Sequence, residues 1–209
     1  MGYTIKIEPP KAFLEEARSL LGTKILKPSN DPIPDDAEVP SNIIFASIAQ
    51  TYIFSYLAVL AFATENISGI WRDDNDRIRE MFPNAKNLDH LLNSDLKEIK
   101  ELLKTICYFH NIKPINDEEP DLWNEFMQVV KVTRDFFSHP IPDEHKFDKI
   151  VGEVFAKRSW RYASSVAENI ISYFYKKKNL EVPDWVKENQ DFKIETIRAL
   201  RIAPSSKTA

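Results

Sequence analysis

Only four glycines occur in the 209 residues, at positions 2, 22, 69 and 152. A phosphate-cradling loop or a dinucleotide fingerprint needs clustered glycines, so both are excluded. Asn-Gly and Asp-Gly steps are missing, which removes the tightest hairpin turns. Cys107 is the single cysteine. No intrachain disulfide can form, which fits a reducing compartment, and a cytoplasmic location is expected. Basic charge is not in excess either: 28 Lys and Arg against 32 Asp and Glu leave a formal charge of −4. A surface coated with basic residues for duplex DNA is therefore disfavoured, although a local basic groove is not. The opening MGYTIKIEPPK has no apolar core of a secretory signal, and Gly2 lacks the small-residue context of a myristoylation site.

What is present is an ordinary globular balance, 43% hydrophobic and 29% charged, arranged with helical period. Residues 11–21 form a short amphipathic helix opened by Pro9 and Pro10 and closed near Gly22. Residues 23–41 hold Pro28, Pro32, Pro34 and Pro40 and are expected to run extended. The stretch 41–66 carries no charge from Val39 to Thr64. It is long enough to span a membrane. Gln50, Thr51, Tyr52, Ser55 and Tyr56 lie mid-run and would be costly facing lipid, so a helix buried on nearly all sides is preferred and no membrane is expected.

Further helices are predicted over 70–82, 94–110, 120–138 and 157–178. Ser94 is a plausible cap for the second, and Pro120 opens the third. In 120–138, Leu122, Phe126, Val129, Thr133 and Phe136 form one stripe beside Trp123, Val130 and Phe137. In 157–178, Trp160, Ala163, Ala167, Ile170, Ile171 and Phe174 face the core, and the terminal lysines solvate the helix end. The DDND run at 73–76 has no glycine and places Arg77 at a ligand position, so it is not a calcium loop. Cys107 and His110 are too few to close a zinc site, and a buried thiol with a helix-end histidine is the expectation. VPDWVKEN reads as a last helical turn. FKIETIRALRI reads as either a strand or a docking arm. The fold class is therefore all-α: a helical bundle over 41–178, an N-terminal helix and extended arm over 1–40, and a tail over 179–209.

The chemistry-bearing stretch is TRDFFSHPIP, residues 133–142. Pro140 pushes the preceding residue out of helical conformation, so the helix should end near Ser138 or His139. His139 then lies at a helix C-terminus, where an imidazolium is favoured. Phe136 and Phe137 are expected to bury and fix the backbone. Arg134 lies at the edge of the apolar stripe, with Asp135 placed to orient a neighbouring cation. A histidine can move protons near neutral pH, and an arginine can hold a phosphate. One chain supplies one such pair. A two-fold dimer supplies two, enough for metal-free RNA cleavage by a 2′-hydroxyl.

RDFFSH resembles the R-x4-6-H motif of the HEPN superfamily, with Arg134 and His139 as the pair and Asp135 as the polar residue after the arginine. The resemblance implies a HEPN-like four-helix bundle, here with extra short helices and terminal extensions, and a homodimer sharing one composite site. It further implies metal-independent endoribonuclease activity without a cofactor, in a toxin–antitoxin or defence setting with RNA and a partner protein or antitoxin. Other members of the superfamily are non-catalytic partners or nucleotide-binding modules. Ile141 stands where many members carry an aromatic, and the segment 67–93 enlarges the compact form. Lys157, Arg158 and Arg161 alternate with Trp160 and Tyr162 and form a candidate surface for single-stranded nucleic acid. The competing structural reading pairs Arg134 with Asp135, Asp121 or Glu125 and leaves His139 to cap its own helix.

Overall fold

The computed structural model describes residues 9–24, 41–138 and 162–187, and the described residues are helical with no strand among them. One helix organises the rest. Helix α2, Ser41–Asp73, has 33 residues, about 50 Å at the α-helical rise. Tyr52, Tyr56, Val59, Ala63, Ile67 and Ile70 are buried at steps of three or four, which is one continuous face. Helix α1, Pro9–Lys24, packs along it: Leu14 and Ala17 are buried, and Phe13 stacks on Phe54 at 6.2 Å. The Thr51 hydroxyl donates to the Ala17 carbonyl at 3.4 Å.

Two expectations about this helix are corrected. It is not buried on nearly all sides, because Ala46, Gln50 and Glu65 are exposed and Ile53, Leu57 and Leu60 are half-buried. It is long and apolar enough to cross a membrane by length and composition, and 44% of its most apolar window is buried inside the fold. Nor does it stop at residue 66. Asn66 Nδ2 donates to Phe62 O and Ser68 Oγ to Thr64 O, each at 2.8 Å. These polar side chains are thus satisfied within the helix, while Ile67 and Ile70 continue its buried face. Asp74, at φ −138° and ψ 51°, makes the break, and α3 follows at Asn75–Met81. The separate helix expected over 70–82 is thus the end of α2 plus α3. Asp73 pairs with Arg72 at 3.0 Å and Asp74 with Arg77 at 3.7 Å.

Helix α4, Leu88–His90, is capped by the Asn87 side chain, which accepts from His90 N at 2.7 Å. A π-helical turn, Leu91–Asp95, follows, closed by Leu96 N donating to Leu91 O at 2.9 Å. Ser94 lies inside that turn, so it caps nothing. Helix α5 starts later than expected, at Ile99, and runs to Phe109. Two short helices come next, α6 at Ile115–Glu118 and α7 at Pro120–Asn124. Pro120 opens α7, where its missing N–H costs nothing. The rod continues through a second π-helical turn, Glu125–Val130, into α8, Lys131–Ser138.

Helix α9, Tyr162–Lys177, buries Ala163, Ala167, Ile170, Ile171 and Phe174, the positions that the periodicity predicts. Phe174 meets Phe62 of α2 at 5.7 Å. Tyr173 Oη lies 2.7 Å from the Lys113 carbonyl and 2.9 Å from a Glu118 carboxylate oxygen, and Lys177 pairs with the same carboxylate. These contacts tie the α5–α6 connection to α9. Helix α10, Asp184–Lys187, is the last turn expected in VPDWVKEN, and its Val186 is buried. Of the run expected to be extended over 23–41, residues 23, 24 and 41 are helical and 25–40 lie outside the described residues, as does FKIETIRALRI.

Because Phe174 is fully buried against the long helix, Phe174→Ala is expected to cost about 3–5 kcal/mol. Urea denaturation checks this, with the midpoint falling and the slope unchanged.

Candidate functional site

The site begins with Tyr56, which α2 holds at 5% exposure. Its ring lies nearly parallel to that of Phe126, with centroids 5.9 Å apart. Phe126 stands in the π-helical turn, where Lys131 N reaches back five residues to Phe126 O. That wider turn shifts the register of the rod. Phe126 and Val130, from the two adjacent stripes read in the sequence, are both fully buried. Thr133 follows them into the core.

One residue past Thr133, the Arg134 guanidinium carbon stands 4.2 Å from the centroid of the Tyr56 ring. A guanidinium against an aromatic ring gains electrostatic attraction and loses rotamer freedom. Asp135 fixes it further. One carboxylate oxygen accepts from Arg134 Nη1 at 2.6 Å and the other from Lys131 Nζ at 2.8 Å. The expectation that Asp135 orients a neighbouring cation is met twice over. The pairing of Arg134 with Asp135 in the competing structural reading is also present.

The electrostatics follow from this geometry. Burial alone would raise the Asp135 carboxyl, but the Lys131 and Arg134 hydrogen bonds outweigh it and hold it below the ordinary value. The Asp135 hydrogen bond raises the Lys131 ammonium, and Glu98 at the start of α5 adds a smaller effect of the same sign. Burial pushes the Tyr56 hydroxyl up against the opposing pull of Arg134 and Lys131. The cluster is therefore two cations, one carboxylate and a neutral phenol at neutral pH.

Of the residues singled out in the sequence, the structure brings Arg134 and Asp135 together. His139, Lys157, Arg158 and Arg161 lie outside the described residues, as does Trp160. Phe136 and Phe137 are half-buried rather than buried, their rings edge to face at 5.5 Å. Lys131 and Tyr56 were not anticipated. The Lys131–Asp135 spacing of four is a readable helical ion pair. Tyr56 carries no such signal, because its partner is on another helix.

Cys107 is buried as expected, and burial pushes its thiol up to about 11. His110 is the C-terminal capping residue of α5. No cluster of three or more His, Cys, Asp or Glu that could hold a metal ion occurs among the described residues. No family model, curated protein or solved structure matches the chain.

The pH dependence has a definite sign. The Asp135 contribution is complete above the unfolded carboxylate value and is lost as pH falls through its lower folded value. The Lys131 contribution is complete below the ordinary lysine value and is lost as pH rises through its higher folded value. Both partners are partly exposed, so Asp135→Asn is expected to cost no more than about 1 kcal/mol at pH 7. Urea titrations should show the gap between parent and variant closing below about pH 4.

Proposed function

We propose that the chain is a HEPN-like module that cleaves single-stranded RNA without metal, working as a homodimer whose site draws on both chains. The observation that carries this reading is the pinned guanidinium of Arg134. A ring against it and a carboxylate at one edge fix its orientation, so it meets a phosphate without first losing its own freedom. His139 follows five residues on, ahead of Pro140.

In this mechanism one histidine takes the proton of the 2′-hydroxyl. The O2′–P bond forms, the P–O5′ bond breaks, and a second acid, supplied by the partner copy, returns a proton to the departing oxygen. Arg134 holds the non-bridging oxygens as charge grows on them. Lys157, Arg158 and Arg161 steer the single strand toward the site.

A second reading has its own support. Asp135 accepts from both nearby cations and so partly neutralises the charge that a phosphate would meet. A bundle of this kind serves equally as a non-catalytic assembly module that holds a partner protein or a nucleotide.

Incubation of the purified protein with single-stranded RNA in EDTA separates the two. The nuclease reading expects fragments, their loss with His139→Ala, and a fall of about 100-fold or more with Arg134→Ala. Cleavage that survives His139→Ala rejects the mechanism. A stable dimer that leaves RNA intact supports the assembly module.

A further inference from the structure

Gly69 raises a question that packing does not answer. It lies within α2, where glycine is the poorest helix former after proline. No described glycine has a positive φ, so its conformational freedom is not needed. A Cβ built at Gly69 meets nothing within 4 Å, so no close approach of another chain segment requires its absence. The one structural consequence of glycine here is space. Gly69 lines an open surface cleft of about 380 Å³.

The polar groups of that cavity come from two helix ends built alike. Asn111 and Asn179 both have φ 52°, the left-handed conformation that terminates helices. The residues just before them are His110 and Lys178, and both line the cavity. Asn66 Nδ2 donates to Phe62 O at 2.8 Å. That bond fixes the amide with its oxygen toward Lys178, whose Nζ donates to it at 3.1 Å. A neutral acceptor orients the ammonium without cancelling its charge. Burial lowers the Lys178 ammonium, and burial followed by the Lys178 charge lowers the His110 imidazole. Lys178 is thus the cation of the cavity, and His110 is a neutral imidazole able to donate one hydrogen bond. Ile70 and the ring of Phe109 supply apolar wall. Three carboxylates also line the cavity: Asp73 is paired with Arg72, Asp74 with Arg77, and Glu65 is exposed.

We propose that this cavity binds a small molecule with one oxyanion head, carboxylate or phosphate monoester, held by Lys178 and His110, and a compact apolar body seated against Phe109 and Ile70 over Gly69. It stands about 20 Å along α2 from Tyr56 and does not depend on the ribonuclease reading. The carboxylates that line its edge select against a second anionic group.

The test uses the full chain and three probes: benzoate, phenyl phosphate and inorganic phosphate. Backbone amide shifts of Gly69 and His110 are followed by NMR. Saturable shifts with benzoate, phenyl phosphate or both are expected, and the stronger of the two identifies the head group. Inorganic phosphate should bind at least about tenfold more weakly than phenyl phosphate if that probe is the one held. Lys178→Met keeps the apolar stem and should weaken binding by about tenfold or more. Gly69→Leu should abolish binding while raising the melting temperature, since the side chain enters open space and improves the helix. Absence of saturable shifts with both organic probes overturns the proposal, as does unchanged affinity in Lys178→Met. Undiminished binding in a folded Gly69→Leu overturns it as well.

Discussion

The structure depends on one buried face. Residues 52, 56, 59, 63, 67 and 70 of α2 are withdrawn from water by α1, α5, α8 and α9 in turn. Within a protein such a helix draws most of its stability from the face it packs rather than from propensity. Its integrity comes from tertiary burial, at roughly 25 cal/mol per Å² of apolar surface removed from water. Because the helix is one rigid rod, it sets the distance between everything docked on it. Tyr56 presents a ring to Arg134 on one stretch, and Asn66 and Gly69 open a cavity on another. A local break between them would disconnect the two sites.

Much of the fold was legible in the sequence where the signal is local. Pro9 and Pro10 mark the start of α1, Pro120 marks α7, and the core positions of α9 repeat with strict helical period. The reading failed where local signals compete with packing. The helix was expected to end at residue 66, yet the core period continues through Ile67 and Ile70, and burial outweighs the weak propensity of Gly69. The two π-helical turns were invisible for a different reason. They alter which carbonyl each N–H reaches without changing composition, so no pattern of apolar residues marks them.

The candidate sites show the same division. Arg134 and Asp135 were readable as a pair of adjacent opposite charges, and the i,i+4 partner Lys131 could have been. What fixes Arg134 is Tyr56, which is close only because the rod lies across α2. No pattern within one helix carries that contact. Lys178 read as a lysine solvating a helix end, and His110 as a helix-end histidine. His110 does end α5, whereas Lys178 is half-buried and donates to Asn66. Their convergence with Gly69 is a property of three helix ends meeting.

The account rests on Arg134 being held against Tyr56 by attraction rather than merely lying near it. A double-mutant cycle measures this most directly, using Tyr56→Leu, Arg134→Met and the double variant in equilibrium urea unfolding. The account predicts a favourable coupling of about 1 kcal/mol between the two positions. Strictly additive effects would contradict it, because the guanidinium would then have no energetic tie to the ring that is said to aim it.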